Sequence, residues 1–241
     1  MEKLCGSKYV QSDISGIYED IKRYIDCKTE VLFIGTPCQV DAVAKYCKSE
    51  YLYTIDLICH GTPPASYLSD YIKTLPNYKE IKDIRFRGER DFWFTAKNDQ
   101  NNEIYCEYKD CDPYFHAFLK GTIYRENCYN CRYAQLKRVA DITLGDFWEL
   151  ERNASTYLGN VSLILSNTTK GQKVVDESAD LMIMEERKIE EAIRGNLQLS
   201  APMKRTLEQV EFTKMVEVHG DFISAFKKNA IYKEAIRNKR L

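Results

Sequence analysis

No apolar run in the chain approaches the roughly 20 residues needed to cross a bilayer. The opening residues, Met1-Glu2-Lys3-Leu4-Cys5-Gly6, hold no apolar stretch of the kind a secretory signal needs. The expectation is a cytoplasmic protein with no membrane span. Glycine is scarce, at 11 of 241 residues, against a usual share of about 7%. That excludes a glycine-rich linker, a collagen-like repeat and a long disordered stretch. Neither sign of charge dominates: Lys and Arg number 35, Asp and Glu 36, for a formal net charge of −1. Such a balance leaves no overall basic footprint for nucleic acid or anionic lipid. Two nucleotide signatures are also missing, G-x-G-x-x-G and G-x-x-x-x-G-K-[ST], which excludes a standard dinucleotide site and a P-loop.

What is present reads as α/β: a mixed sheet with a β-α-β core, an antiparallel insertion and a helical C-terminal region. Ser12-Asp13 is placed to cap a helix through about Asp26, with Ile14, Ile17, Ile21 and Ile25 on one face. Val31-Leu32-Phe33-Ile34, ending at Gly35, reads as a buried parallel strand. Thr36-Pro37 supplies an N-cap and a first-turn proline for a helix to about Cys47. Residues 51–58 form a second strand, which completes the β-α-β unit. A helix from about Pro64 to Leu75 follows. Residues 81–108 then alternate as antiparallel strands do, at 84–87, 92–95 and 104–107. A short helix near 112–120 leads to a cysteine-bearing loop at 125–135. Strands follow at 141–146 and 161–167, and the chain from Lys170 onward is charged and mostly helical. The segment 211–241 is expected to be a solvated amphipathic extension to a domain spanning 1–210.

Nine cysteines are the abundant feature. In a reducing compartment they point to metal binding, catalysis or simple burial rather than to disulfides. Cys128-Tyr129-Asn130-Cys131 is a C-x-x-C motif in a polar loop, a spacing shared by zinc knuckles, iron–sulfur sites and dithiols. It needs further ligands from distant segments. Cys38 falls in the first turn of a helix, where free N–H groups and the helix dipole favour a thiolate or a bound anion. Cys59-His60-Gly61 follows the second strand, and ligands bind at the carboxyl ends of strands in open α/β sheets. Cys38, Cys59, Cys128 and Cys131 are thus candidates for one site. His60 reads as a structural histidine more readily than as a ligand. Cys106 and Cys111, a C-x4-C pair, read as ordinary half-buried thiols, as do Cys5, Cys27 and Cys47. Three chemistries remain open on these residues: a redox cluster, a zinc- or iron-stabilised interaction module without catalysis, and a thiol enzyme using Cys38.

Taken together the motifs resemble a known family. They run from Gly6-Ser7-Lys8-Tyr9-Val10-Gln11-Ser12 through Gly35-Thr36-Pro37-Cys38-Gln39-Val40 and Asp56-Leu57-Ile58-Cys59-His60-Gly61 to Phe86-Arg87. Arg125 with the C-x-x-C motif, Ala140–Trp148, Ser162–Thr168 and Gly195-Asn196-Leu197 complete the series. The chain resembles the C-terminal domain of the coenzyme F-420 hydrogenase/dehydrogenase beta-subunit family, over roughly residues 5–210 and without the N-terminal ferredoxin domain many members carry.

The resemblance implies an FAD- and 4Fe–4S-dependent oxidoreductase. Its partners would be a ferredoxin-type electron-transfer protein or domain and a small-molecule, two-electron redox substrate: the deazaflavin or another acceptor, with some relatives found among polysaccharide functions. Carried over residue by residue, Cys38, Cys59, Cys128 and Cys131 are the implied cluster ligands. Ser7, Lys8, Gln11 and Ser12 are implied to reach the flavin or its phosphates. Gly35, Thr36, Pro37 and Gln39 would line its ring, and Asp146 would bind one of its hydroxyls. Glu149 stands where relatives usually have glycine.

Overall fold

The computed structural model describes residues 7–88, 90–150 and 161–240. Along the chain lie α1 (Ile17–Asp26), β1 (Val31–Gly35), α2 (Pro37–Tyr46), β2 (Leu52–Leu57) and α3 (Ala65–Ile72). Next come β3 (Asp83–Arg85), β4 (Trp93–Lys97), β5 (Glu103–Tyr108), α4 (Pro113–Leu119), β6 (Ile142–Asp146) and β7 (Ser162–Ser166). Five helices close the chain: α5 (Thr169–Glu177), α6 (Ile189–Gly195), α7 (Leu207–His219), α8 (Phe222–Lys228) and α9 (Ala230–Asn238). The α/β class expected from the sequence is the one observed. No helix among the described residues is long and apolar enough to cross a membrane.

The chain divides into two compact units. The mixed-sheet unit comprises Asp13–His60 and Asn130–Pro202, and the aromatic unit comprises Met1–Ser12, Gly61–Tyr129 and Met203–Leu241.

In the mixed-sheet unit the strand order is β1-β2-β6-β7. β1 pairs with β2, and β2 with β6, in parallel, while β7 returns antiparallel along β6. Parallel neighbours require a crossover, and α2 supplies it between β1 and β2. Phe33 and Leu52 from the strands pack with Val40, Val43 and Cys47 of α2 and its C-cap, and with Ile21 of α1. The opposite face of β1 is open: Leu32 is 57% exposed and Ile34 55%. The strand expected to be buried is therefore covered on one side only, because both packing helices lie on the face that Phe33 shares. Helix α1 also starts later than its sequence predicts. The Asp13 carboxylate accepts the Ser15 N–H at 2.9 Å, which commits these residues to a turn, and Gly16 follows with φ +82°. Ile14 thus precedes the helix instead of joining its face.

The aromatic unit is built on the antiparallel meander β3-β4-β5. Its core includes Phe86, Phe94, Tyr114, Phe115 and Phe226, all fully buried. Phe86 and Phe94 meet edge to face at 4.9 Å, the geometry that ring quadrupoles favour. The C-terminal helices belong to this core. Phe212, Phe222, Ala225, Phe226, Ile231 and Ala235 are buried, and Phe222 stacks on Tyr67 of α3 at 4.1 Å. The expectation of a solvated C-terminal end is thus corrected. Its charged residues line the outer surface, while the aromatic residues between them fill the interior. Buried Asn229 caps α9 by accepting from Ile231 N at 2.9 Å and donates to the Glu208 carbonyl at 3.0 Å.

Asp112 caps α4 from a fully buried position. Its carboxylate accepts the Phe115 N–H and the Tyr71 hydroxyl, each at 2.6 Å, and the Tyr105 hydroxyl at 3.0 Å. Burial pushes its carboxyl up to about 6, against the opposing pull of these hydrogen bonds.

Two outcomes follow from this packing. Phe226→Ala is expected to cost about 3–5 kcal/mol, read as a lowered denaturant midpoint, whereas a solvated end would lose almost nothing. Asp112 holds its proton more tightly folded than unfolded. Its contribution is fully present below pH 3.8 and is lost as pH rises through about 6. Stability should fall over that window by on the order of 3 kcal/mol at most, and Asp112→Asn should flatten the slope in a pH series of unfolding curves.

Candidate functional site

Three parallel strands lying side by side send their carboxyl ends to the same edge of the sheet. Gly35 on β1 is in register with Asp56 on β2, and Asp56 with Thr143 on β6. The segments that continue from these strands carry the residues singled out in the sequence: Thr36-Pro37-Cys38-Gln39 after β1, Cys59-His60 after β2, and Asp146 at the end of β6. Ligand sites of open α/β sheets form at such an edge.

At the β1–α2 turn, Thr36 is the N-cap and Pro37 opens the helix. Buried Gln39 turns back, and its Oε1 accepts both the Thr36 N–H and the Thr36 hydroxyl at 3.0 Å. The same hydroxyl lies 3.2 Å from Cys38 Sγ. Gln39 thereby locks the turn that presents Cys38 as the second helical residue. Gly35 is closely approached here, with Gln39 Oε1 3.2 Å from where a Cβ would stand.

Cys59 is half-buried and His60 exposed. The His60 ring keeps an edge at the surface but is crowded by protein, which pushes its imidazole below its ordinary range, and the Asp146 carboxylate opposes that shift. The Asp146 carbonyl accepts the Asn196 side-chain amide at 3.1 Å, and that amide also donates to Ala192 O at 3.2 Å. Gly195 lets the end of α6 approach this closely, because a Cβ there would overlap the Trp148 carbonyl. The Gly195-Asn196 pair therefore holds the segment that follows β6.

Ser7, Lys8, Gln11, Ser12 and Cys128 lie in the aromatic unit. Tyr9 anchors the first of these: it stacks on Phe118 at 4.3 Å, and its carbonyl accepts the Tyr114 hydroxyl at 3.3 Å. Ser7 accepts the Phe86 N–H on its carbonyl at 3.2 Å, and Lys8 is exposed. The Cys128 thiol points toward the Thr62 carbonyl at 3.9 Å. Nearby Gly61 has φ +132°, and a Cβ there would run into the Tyr124 ring. Cys131 lies in the mixed-sheet unit, so the division between units falls within the C-x-x-C motif. Cys5 and Gly6 lie outside the described residues.

Cys38, Cys59, Cys128 and Cys131 are all free thiols of intermediate burial, which is suitable donor chemistry for a cluster. Among the described residues, no group of three or more His, Cys, Asp or Glu side chains is gathered to hold a metal ion. Four cysteine thiols are the donor type that iron–sulfur clusters take, and that zinc takes as well. Among the described residues the Thr36 hydroxyl is the hydrogen-bonding neighbour of the Cys38 thiol. Cys106 accepts from Arg90 Nη1 at 3.1 Å, and burial raises the Cys106 and Cys111 thiols, in keeping with an ordinary structural role.

The residues missed from sequence are a buried ion pair at the same sheet edge. Arg138 and Asp56 meet at 3.1 Å with side chains 2% and 0% exposed. Burial pushes the Asp56 carboxyl up, opposed by the Thr143 hydroxyl at 2.6 Å and by Arg138. Asp56 Oδ2 is buried without a hydrogen-bond partner. The signal was legible: a carboxylate inside the apolar run Tyr53–Ile58 must find a cation if it is to be buried.

Comparison with known proteins gives this arrangement a family of oxidoreductases. The chain belongs to the family defined by the C terminus of the coenzyme F420 hydrogenase/dehydrogenase beta subunit, which matches residues 28–192, more than half of its length. Among solved structures it is similar to a chain of the F420-reducing [NiFe] hydrogenase complex from Methanosarcina barkeri, a xenon derivative. That similarity is 18% in sequence, covers 98% of this chain and 67% of the other, and has a TM-score of 0.44. No curated protein matches.

Glu149 has φ +58°. A side chain in the left-handed region costs about 1–2 kcal/mol, partly offset by the freedom glycine gains when unfolded. Glu149→Gly is expected to stabilise the protein by about 0.5–1 kcal/mol, measured by chemical denaturation.

Proposed function

We propose that this chain is an oxidoreductase domain using FAD and a 4Fe–4S cluster to pass electrons between a ferredoxin-type partner and a small two-electron redox substrate, the deazaflavin or another acceptor. The single observation that supports it is the shared edge of β1, β2 and β6, which carries Cys38, Cys59 and Asp146 inside the segment that defines the family. In this reading Cys38, Cys59, Cys128 and Cys131 hold the cluster. Lys8 contributes positive charge to the flavin, with Ser7, Gln11 and Ser12 as hydrogen-bonding neighbours. Gly35, Thr36, Pro37 and Gln39 form a rigid turn that would lie along the flavin ring. Asp146 offers an acceptor for a hydroxyl. When bound, the pair of cofactors would convert electron pairs into single electrons and back. Residues 1–210 would carry this chemistry in the cytoplasm, with 211–241 completing the aromatic core.

The test is anaerobic purification followed by an absorption spectrum and assays for iron, acid-labile sulfide and flavin. Bound flavin with about four irons per chain is expected, and Cys59→Ser should lose the iron and keep the flavin. A colourless protein, with or without zinc, overturns the reading.

A further inference from the structure

The segment that follows Cys131 is fastened at two points, and both anchors lie on elements that carry another of the site's cysteines. The Tyr133 hydroxyl donates to Asp41 Oδ2 at 2.5 Å, and Arg132 Nη2 and Lys45 Nζ donate to the same oxygen at 3.1 and 2.7 Å. Asp41 lies on α2 three residues beyond Cys38, so the two share a face of the helix. The backbone of the same tyrosine is held by the buried ion pair. Arg138 Nη1 donates to the Tyr133 carbonyl at 3.0 Å and to the Gln135 carbonyl at 3.4 Å. Its Nη2 donates to the Leu57 carbonyl at 3.0 Å, two residues before Cys59, while Nε donates to Thr143 Oγ1 at 3.2 Å. Tyr133 is thus tied by its side chain to the helix that carries Cys38 in its first turn, and by its carbonyl to the strand that leads to Cys59. All these residues lie in the mixed-sheet unit.

A buried ion pair is a poor way to gain stability. Desolvating two charges costs several kcal/mol per ion, and apolar residues of similar volume often do as well. What Arg138 supplies that they cannot is a planar fork of donors with fixed directions. Its donors go to three backbone carbonyls from two segments, to the Thr143 hydroxyl and to Asp56.

We propose that Tyr133 and Arg138 are positioning residues that hold Cys131 in place relative to Cys38 and Cys59 before any cofactor binds. The proposal rests on the reading of these cysteines as cluster ligands. It assigns the cost of the buried pair to pre-organisation, as supporting hydrogen bonds do for metal ligands generally.

The test uses the full chain in two variants. Tyr133→Phe keeps the ring and removes the bond to Asp41. Arg138→Lys keeps a charge facing Asp56 and gives up the fork. In protein stripped of iron, alkylation of Cys131 by iodoacetamide is followed by mass spectrometry, with exposed Cys27 as internal reference. Loss of one such hydrogen bond should speed Cys131 labelling about five- to tenfold, with Cys27 unchanged. After reconstitution with iron and sulfide, both variants should lose iron to a chelator faster than wild type by a similar factor. Unchanged Cys131 labelling in both variants overturns the proposal. So does equal acceleration at Cys27, which would mean general loosening, and so does wild-type retention of iron in both variants. A wild-type protein that takes up no iron overturns the underlying reading of the site instead, and the Cys131-to-Cys27 labelling ratio keeps that failure separate from failure of the clamp.

Discussion

The parallel pairing of β1, β2 and β6 is the constraint on which the rest of the site depends. An antiparallel neighbour would have sent its chain end to the far side of the sheet. Three parallel strands instead leave from one edge, and residues separated by more than a hundred positions arrive there together. A crossover is the connection that parallel neighbours demand; α2 supplies it between β1 and β2, and its first turn carries Cys38. Asp56 and Arg138 belong to the same constraint. Asp56 lies on the middle strand, between Gly35 and Thr143, where a carboxylate is buried by its neighbours and must be neutralised from the loop that returns to the sheet.

The aromatic unit solves a different problem. Its three-stranded meander is too small to bury a sheet face unaided. Large rings supply the missing apolar area, and they come from both ends of the chain. Tyr9 packs on Phe86, Phe115 and Phe118, while Phe222 and Phe226 pack on Tyr67 and Tyr71. Asp112 is the polar centre of this interior, and three donors aimed at one carboxylate make its burial tolerable.

Features governed by neighbours in sequence could be read directly. The Thr36-Pro37 cap, the β-α-β rhythm and the alternation expected through residues 81–108 each depend on a few adjacent residues, and the three antiparallel strands fall within one or two residues of their expected bounds. Where a single side-chain bond redirected the backbone, as Asp13 does at Ser15, the reading failed by one helical turn. The burial of the last helices was not legible, because Phe212, Phe222 and Phe226 lie among lysines and glutamates and their partners sit more than a hundred residues earlier. At the site, the shared edge could be anticipated from connectivity. The bonds from Tyr133 and Arg138 could not, since they join a loop to a helix and a strand about eighty or ninety residues away.

The interleaving of the two units has a consequence for synthesis. A ribosome releases Tyr9, Phe86 and Phe94 long before Phe222 and Phe226 exist, and it releases β1 and β2 before β6. Neither interior can close until its late segment has been made: residues 130–202 for the sheet and the last helices for the aromatic core. For most of translation the aromatic side chains and the open face of β1 remain available to other proteins, and long-range closure of this kind is slow and exposed to aggregation. The chain finishes its two interiors in reverse order of their beginnings: the sheet that starts second is complete first, and the aromatic core, begun with the opening residues, waits for the last helix to leave the ribosome.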